Sequence, residues 1–163
     1  MATARRKQTI EYRLLVEPVH DETLKKDGIL FHLETTTLFA NFSYQIDVKD
    51  TIEKATMVWT LHGLRPPSMN MPESGVAQFS KVYFDLPKKI TFTLVKKDNV
   101  RASVDLVFSK ASVTATKAKD NFLKIYTDRQ LFETMRPTDR QPPEHKPEIQ
   151  REQPSQATKR KKH

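Results

Sequence analysis

Val100-Arg101-Ala102-Ser103-Val104-Asp105-Leu106-Val107-Phe108-Ser109 changes character at almost every step. Val100, Ala102, Val104, Leu106 and Phe108 share one parity; Arg101, Ser103, Asp105 and Ser109 share the other, with Val107 the exception. A period of two sends successive side chains to opposite faces of a pleated strand, so this segment reads as a strand with one oily and one wet face. Upstream, Leu38, Ala40, Phe42, Tyr44, Ile46 and Val48 alternate with Thr37, Phe39, Asn41, Ser43, Gln45 and Asp47, which predicts a strand across 37–48. Shorter copies run through Ile10, Tyr12, Leu14 and Val16; through Ala55, Met57, Trp59 and Leu61; through Val82, Phe84 and Leu86; and through Ile90, Phe92 and Leu94. Sheets with one wet face are mostly antiparallel, whereas a doubly wound α/β fold would show continuous apolar strands between helical patterns. Turn chemistry agrees: Asp27-Gly28 precedes Ile29, Leu86-Pro87-Lys88 parts two strands, and Lys97-Asp98-Asn99 suggests a four-residue hairpin loop. The expected fold is all-β, a single antiparallel β-sandwich of roughly seven to nine strands.

One short helix is expected near the end, with Thr127 and Gln130 as a capping box before Leu131, Phe132 and Met135, and Pro137 as its stop. The preceding Asn121 to Tyr126 does not line its apolar residues on one helical face and reads as a strand. From Pro137 to His163 there are five prolines and no aromatic residue. Such a segment buries too little apolar surface to offset an ordering cost of about 1–2 kcal/mol per residue. The organisation that follows is a basic flexible arm over 1–7, a β-sandwich domain over 8–136 and a disordered Pro-rich basic tail over 137–163. Deleting that tail should leave the folding midpoint almost unchanged.

Among 163 residues there is no Cys, which excludes disulfides, thiolate metal sites and cysteine nucleophiles, and three scattered glycines exclude the clustered Gly of a phosphate-binding loop. No apolar stretch near the start resembles a secretory signal and none is long enough to span a bilayer, so a cytoplasmic protein is expected, with no membrane association. The net charge of +8 is unevenly spread. Residues 8–87 carry 7 basic and 11 acidic side chains, whereas residues 88–124 carry 9 basic and 3 acidic.

Three sets of residues are candidates for function. His20, His32, His62, His145 and His163 form no i, i+2 pair on a predicted strand, and no nucleophile motif accompanies them, so no catalytic residue, metal site or cofactor is expected. The segment His62 to Gly75 reads as one long loop, with His62, Arg65, Met69 and Met71 as its contact residues. Two methionines and a histidine are soft ligands of the kind Cu(I) prefers, although flexible methionine stems capping the open end of a sheet account for them as well. The order Met-x-Met-Pro followed by Gly75 and an aromatic strand is similar to small copper-handling sandwiches over about 20 residues, without their further Met or His ligands, and no family is assigned on it. Finally, Lys88, Lys89, Lys96, Lys97 and Arg101, with the terminal Lys159, Arg160, Lys161 and Lys162, could line a groove for a polyanion such as nucleic acid. Lysines at turns and strand edges also serve simply to prevent edge-to-edge aggregation. The leading expectation is a non-catalytic binding or interaction module for a protein or polyanionic partner. A nucleic-acid-binding protein and a small-ligand or soft-metal binder using the 62–75 loop are the alternatives. Phe39, Val107 and Val58, apolar residues on otherwise polar faces, leave an oligomer possible.

Overall fold

Strand β1 (Tyr12–Asp21) turns back into β2 (Lys26–Phe39) through a hairpin in which Asp21 Oδ1 accepts from the amides of Thr23 and Leu24 at 2.9 and 2.8 Å. The computed structural model describes residues 9–40, 43–66, 74–116 and 122–136. The expected arm 1–7, the tail 137–163 with Lys159, Arg160, Lys161 and Lys162, and Met69 and Met71 lie outside the described residues. After β2 come β3 (Gln45–Glu53), β4 (Thr56–Arg65), β5 (Gly75–Tyr83), β6 (Lys89–Lys96), β7 (Val100–Phe108), β8 (Val113–Ala115) and β9 (Leu123–Tyr126), then helix α1 (Arg129–Thr134). The fold is all-β apart from that helix and one short 3-10 turn, as the alternation requires.

All nine strands belong to one sheet, in the order β8-β7-β6-β4-β3-β5-β2-β1-β9. The sheet curls until it nearly closes: β8, at one end of the order, lies against β1, next to the other end. The layers expected of a sandwich are therefore two sides of one continuous, barrel-like sheet. Pairing is antiparallel in β1–β2, β2–β5, β3–β4, β6–β7 and β7–β8, and parallel in β1–β9, β3–β5 and β4–β6. The parallel β4–β6 pair is possible because β5 lies between them in the chain and carries it across.

One core fills the interior and draws buried side chains from every strand. Phe31 stands at its centre, its ring 5.8 Å from Trp59, 5.4 Å from Tyr83 and 5.7 Å from Phe92. Phe92 is fully buried, in phase with Ile90 and Leu94. Buried polar atoms in this core are satisfied by a chain leading outward: Trp59 Nε1 donates to the Tyr83 hydroxyl (2.9 Å), which donates to Asp50 (2.7 Å), which also accepts from Lys81 Nζ (2.6 Å). This chain sits where β3 and β5 splay apart after a single bridge at Gln45 and Gln78.

Five local readings need correction. Asp27-Gly28 lies inside β2, the turn falling at 22–25, and β5 ends at Tyr83 and does not run through Phe84 and Leu86. The alternation over 37–48 is not one strand: β2 ends at Phe39 and β3 begins at Gln45. The register with β5 shifts between Glu34 and Leu38, yet Phe39 keeps the parity of Phe31 and Leu33 and packs on the core, whereas Leu38, on the other face, is 37% exposed. The β6–β7 loop has three residues, because Lys96 pairs with Val100, and left-handed Asp98 and Asn99 make the tight turn. The helix cap is Asp128 rather than Thr127, with Asp128 Oδ1 accepting from the amides of Gln130 (2.8 Å) and Leu131 (3.3 Å). Asn121 lies outside the described residues; Leu123 to Tyr126 form a strand as expected.

Helix α1 packs on the outer face of β1 and β9. Its Phe132 is buried with Leu15 and Tyr126 and lies 4.1 Å below the Arg13 guanidinium. Arg13, itself buried, donates to the Phe132 carbonyl (2.9 Å) and to Glu34 (3.0 Å), and so ties helix, β1 and β2 together.

Candidate functional site

The segment read as a 62–75 loop begins inside the sheet. β4 continues through His62, Gly63, Leu64 and Arg65, pairing Gly63 with Asp47, Leu64 with Ile46 and Arg65 with Gln45. His62 is the extra residue of a bulge between the Leu61–Val48 and Gly63–Asp47 pairs, and Gly63 takes φ 128° to accommodate it. The bulge resets the phase, so Leu64 follows Leu61 onto the inner side opposite buried Ile46. An ion pair between Arg65 and Asp47 (3.4 Å) holds the end of this ladder.

Those residues open onto a cavity of about 880 Å³ at one end of the barrel. Its apolar wall is Phe39, Ile46, Leu61, Leu64 and Val100, with Tyr12 beside them. Leu64 and Val100 remain 43% and 39% exposed at its lip. Its polar lining comes from Thr35 and Thr37 of β2, His62 of β4, Glu11 before β1, and Lys96, Lys97 and Asp98 at the end of β6. Thr35 Oγ1 is already engaged, donating to the Thr37 carbonyl (2.9 Å) and accepting from the Ala77 amide (3.0 Å). Lys96 pairs with Glu11 and lies 4.6 Å over the Phe122 ring, strapping the end of β6 to the start of β1. Burial, and then the neighbouring Glu11 charge, push the Tyr12 phenol above its ordinary pKa, so it stays a neutral donor.

The predicted basic residues divide between the two ends of the molecule. Lys88 and Lys89 precede and begin β6, whereas Lys96, Lys97 and Arg101 surround its far end. Lys89 and Lys96 are the two ends of this eight-residue strand, about 23 Å apart. Arg101 is hydrogen-bonded to Asn99 Oδ1 through Nε (3.3 Å) and Nη2 (3.1 Å), and Lys96 is engaged by Glu11. Lys97, Lys96 and His62 are brought to the mouth, and Arg65 lies next to it. Phe39, Leu61, Leu64, Val100 and Tyr12 were not singled out from the sequence as site residues. The available signals were Phe39 out of phase with Leu38 and Ala40, and His62-Gly63 interrupting the alternation of β4.

Among the described residues no three His, Asp or Glu side chains converge as a metal-binding group, and no helix is long and apolar enough to cross a membrane. Comparison with protein families, with curated proteins and with solved structures finds no match to this chain.

Proposed function

We propose that this protein is a binding module that receives the apolar part of a small amphiphilic ligand in the open mouth of its barrel. The observation that carries the reading is the cavity of about 880 Å³ whose lip leaves Leu64 and Val100 exposed above an otherwise filled core. Mouths of β-barrels are recurrent ligand sites, and pockets for small molecules span about 300–1,000 Å³ with apolar walls and a few polar groups. Here Phe39, Ile46, Leu61 and Leu64 supply the walls, and Tyr12 and Lys97, beside a Lys96 already paired with Glu11, supply groups to meet a polar or anionic head. The aromatic core below Ile46 stops a ligand from passing through the barrel.

Titration of the full chain with a single-chain anionic amphiphile such as decanoate, followed by backbone amide shifts, tests this. Saturable shifts centred on Leu61, Gly63, Leu64 and Val100, weakened in Leu64→Asp, are expected. Absence of shifts there, or shifts confined to Lys88 and Lys89 with a nucleic-acid oligomer and abolished by salt, would replace this reading with the polyanion one.

A further inference from the structure

The outer face of the β2–β5 ladder, away from the mouth, carries a second constellation. His32 and Ser80 are direct cross-strand partners, and the Ser80 hydroxyl is hydrogen-bonded to His32 Nδ1. His32 Nε2 meets Glu34 Oε1 at 3.0 Å. Glu34 lies two residues along β2, so its side chain leaves the same face as His32. Burial deepens along the series: Ser80 is exposed, the His32 side chain is 16% exposed and that of Glu34 is 0% exposed. The Phe132 ring packs edge-on to His32 with centroids 5.8 Å apart, and Glu34 is held in turn by Arg13 (3.0 Å) and Arg136 (2.7 Å).

We propose that Ser80, His32 and Glu34 form a nucleophilic serine site that reacts with small carboxylic esters. A hydroxyl, a base within hydrogen-bond reach and a third group orienting that base are the parts that activate a serine, whatever the fold. With Nδ1 accepting from Ser80, the imidazole proton sits on Nε2 and is donated to Glu34, which fixes ring and tautomer. Burial pushes the Glu34 carboxyl up, but hydrogen bonds from His32, Arg13 and Arg136 and the Arg136 charge outweigh it and hold it at about 2. Glu34 is therefore ionised when His32 needs to carry charge.

In the acylation step Ser80 Oγ forms a bond to the ester's acyl carbon while its proton passes to His32 Nδ1. The adduct then expels the alkoxide, whose C–O bond breaks and which takes that proton and leaves as the alcohol. Water repeats the sequence on the acyl-serine, so that ester and water become acid and alcohol and Ser80 is regenerated. Gln78 stands opposite Glu34 on the same face of β5 as Ser80, and Arg136 reaches that face through its bond to Glu34, so these are the side-chain donors on the Ser80 face. Both line a cavity of about 570 Å³ with Leu38 and Val76, which begins two residues along β5 from Ser80. Two guanidiniums against one carboxylate leave positive charge that favours the anionic adduct but opposes the imidazolium, so slow turnover is expected.

The test is to treat the full chain with a fluorophosphonate, in which Oγ–P forms and fluoride leaves, and to map the label by mass spectrometry. Ser80 should be labelled at least about ten times faster than Ser103 in the same molecules, and the label should vanish in Ser80→Ala. In His32→Gln, shown folded by circular dichroism, labelling and p-nitrophenyl acetate hydrolysis should fall at least about 100-fold, the usual share of a positioned base. Equal labelling of Ser80 and Ser103, no label on Ser80, or an unchanged rate in folded His32→Gln would each overturn the proposal. The comparison of the two serines needs no variant, so a misfolded substitution does not shield it.

Discussion

Gly63 holds φ 128° with no atom within 4 Å of where a Cβ would stand. An alanine there meets no clash, only a backbone conformation that L residues avoid, at a cost of about 1–3 kcal/mol. Gly63→Ala should lower stability by that amount in chemical denaturation and shift the amides of Leu61 and Leu64, because the bulge that aims Leu64 into the mouth depends on it. Glu34 supplies a second prediction at this scale. Its carboxyl titrates at about 2 when folded against an ordinary 4.5, so its contribution is whole above about 4.5 and is lost as pH falls toward 2. The full loss amounts to about 3 kcal/mol, since each tenfold change in proton affinity on folding is worth about 1.4 kcal/mol. Unfolding midpoints measured from pH 6 down to pH 2 should fall over that window, and Glu34→Gln should flatten the fall. At Asp50 the Lys81 hydrogen bond, opposed by burial and helped by Tyr83, lowers the carboxyl in the same direction.

Helix α1 illustrates how an element of six residues is held by its surroundings. Isolated helices this short do not persist in water, so its stability comes from packing. Phe132 is the anchor, seated against Tyr126 (5.4 Å) and the Arg13 guanidinium, and Asp128 closes the first turn. Phe132→Ala should cost about 3–5 kcal/mol and release α1, seen as lost amide protection from Gln130 to Met135. Asp128→Ala should cost about 1 kcal/mol. The sequence reading located this helix and its Phe132, but assigned the cap to Thr127 because a capping box is a spacing. Which of two adjacent side chains turns toward the free amides depends on where β9 releases the chain. The 37–48 run misled for a related reason. Alternation reports that successive faces differ, not that the strand continues or which face is inward, and here Phe39 of β2 and Ile46 of β3 reach the core on opposite parities.

At the scale of the molecule, the main core joined through Phe31, Trp59 and Phe92 draws on every strand, so the sheet is expected to unfold as one unit. Trp59, the one tryptophan in the chain, lies inside that core and reports on it. Its fluorescence and the far-UV circular dichroism should trace one coincident denaturation curve; separate curves would show a sheet that opens in parts. Pairings such as β1 with β9 and β4 with β6 join residues far apart in the chain, so refolding in milliseconds to seconds is expected by stopped flow. The same scale decides the lysines. Lys89 and Lys96 are close in sequence, but an extended strand places them at opposite ends, and only the latter shares the mouth with His62 and Leu64.

The amino-acid order alone determined that the chain pleats, which side chains of β6 and β7 turn inward, and where β9 and the helix lie, because period and turn chemistry act between near neighbours. Tertiary structure alone decided that the sheet curls on itself, that a bulge at His62 directs Leu64 to a mouth, and that His32, Glu34 and Ser80 meet. Those outcomes rest on strand order and register, which are set by contacts between segments tens of residues apart and leave no mark on local alternation.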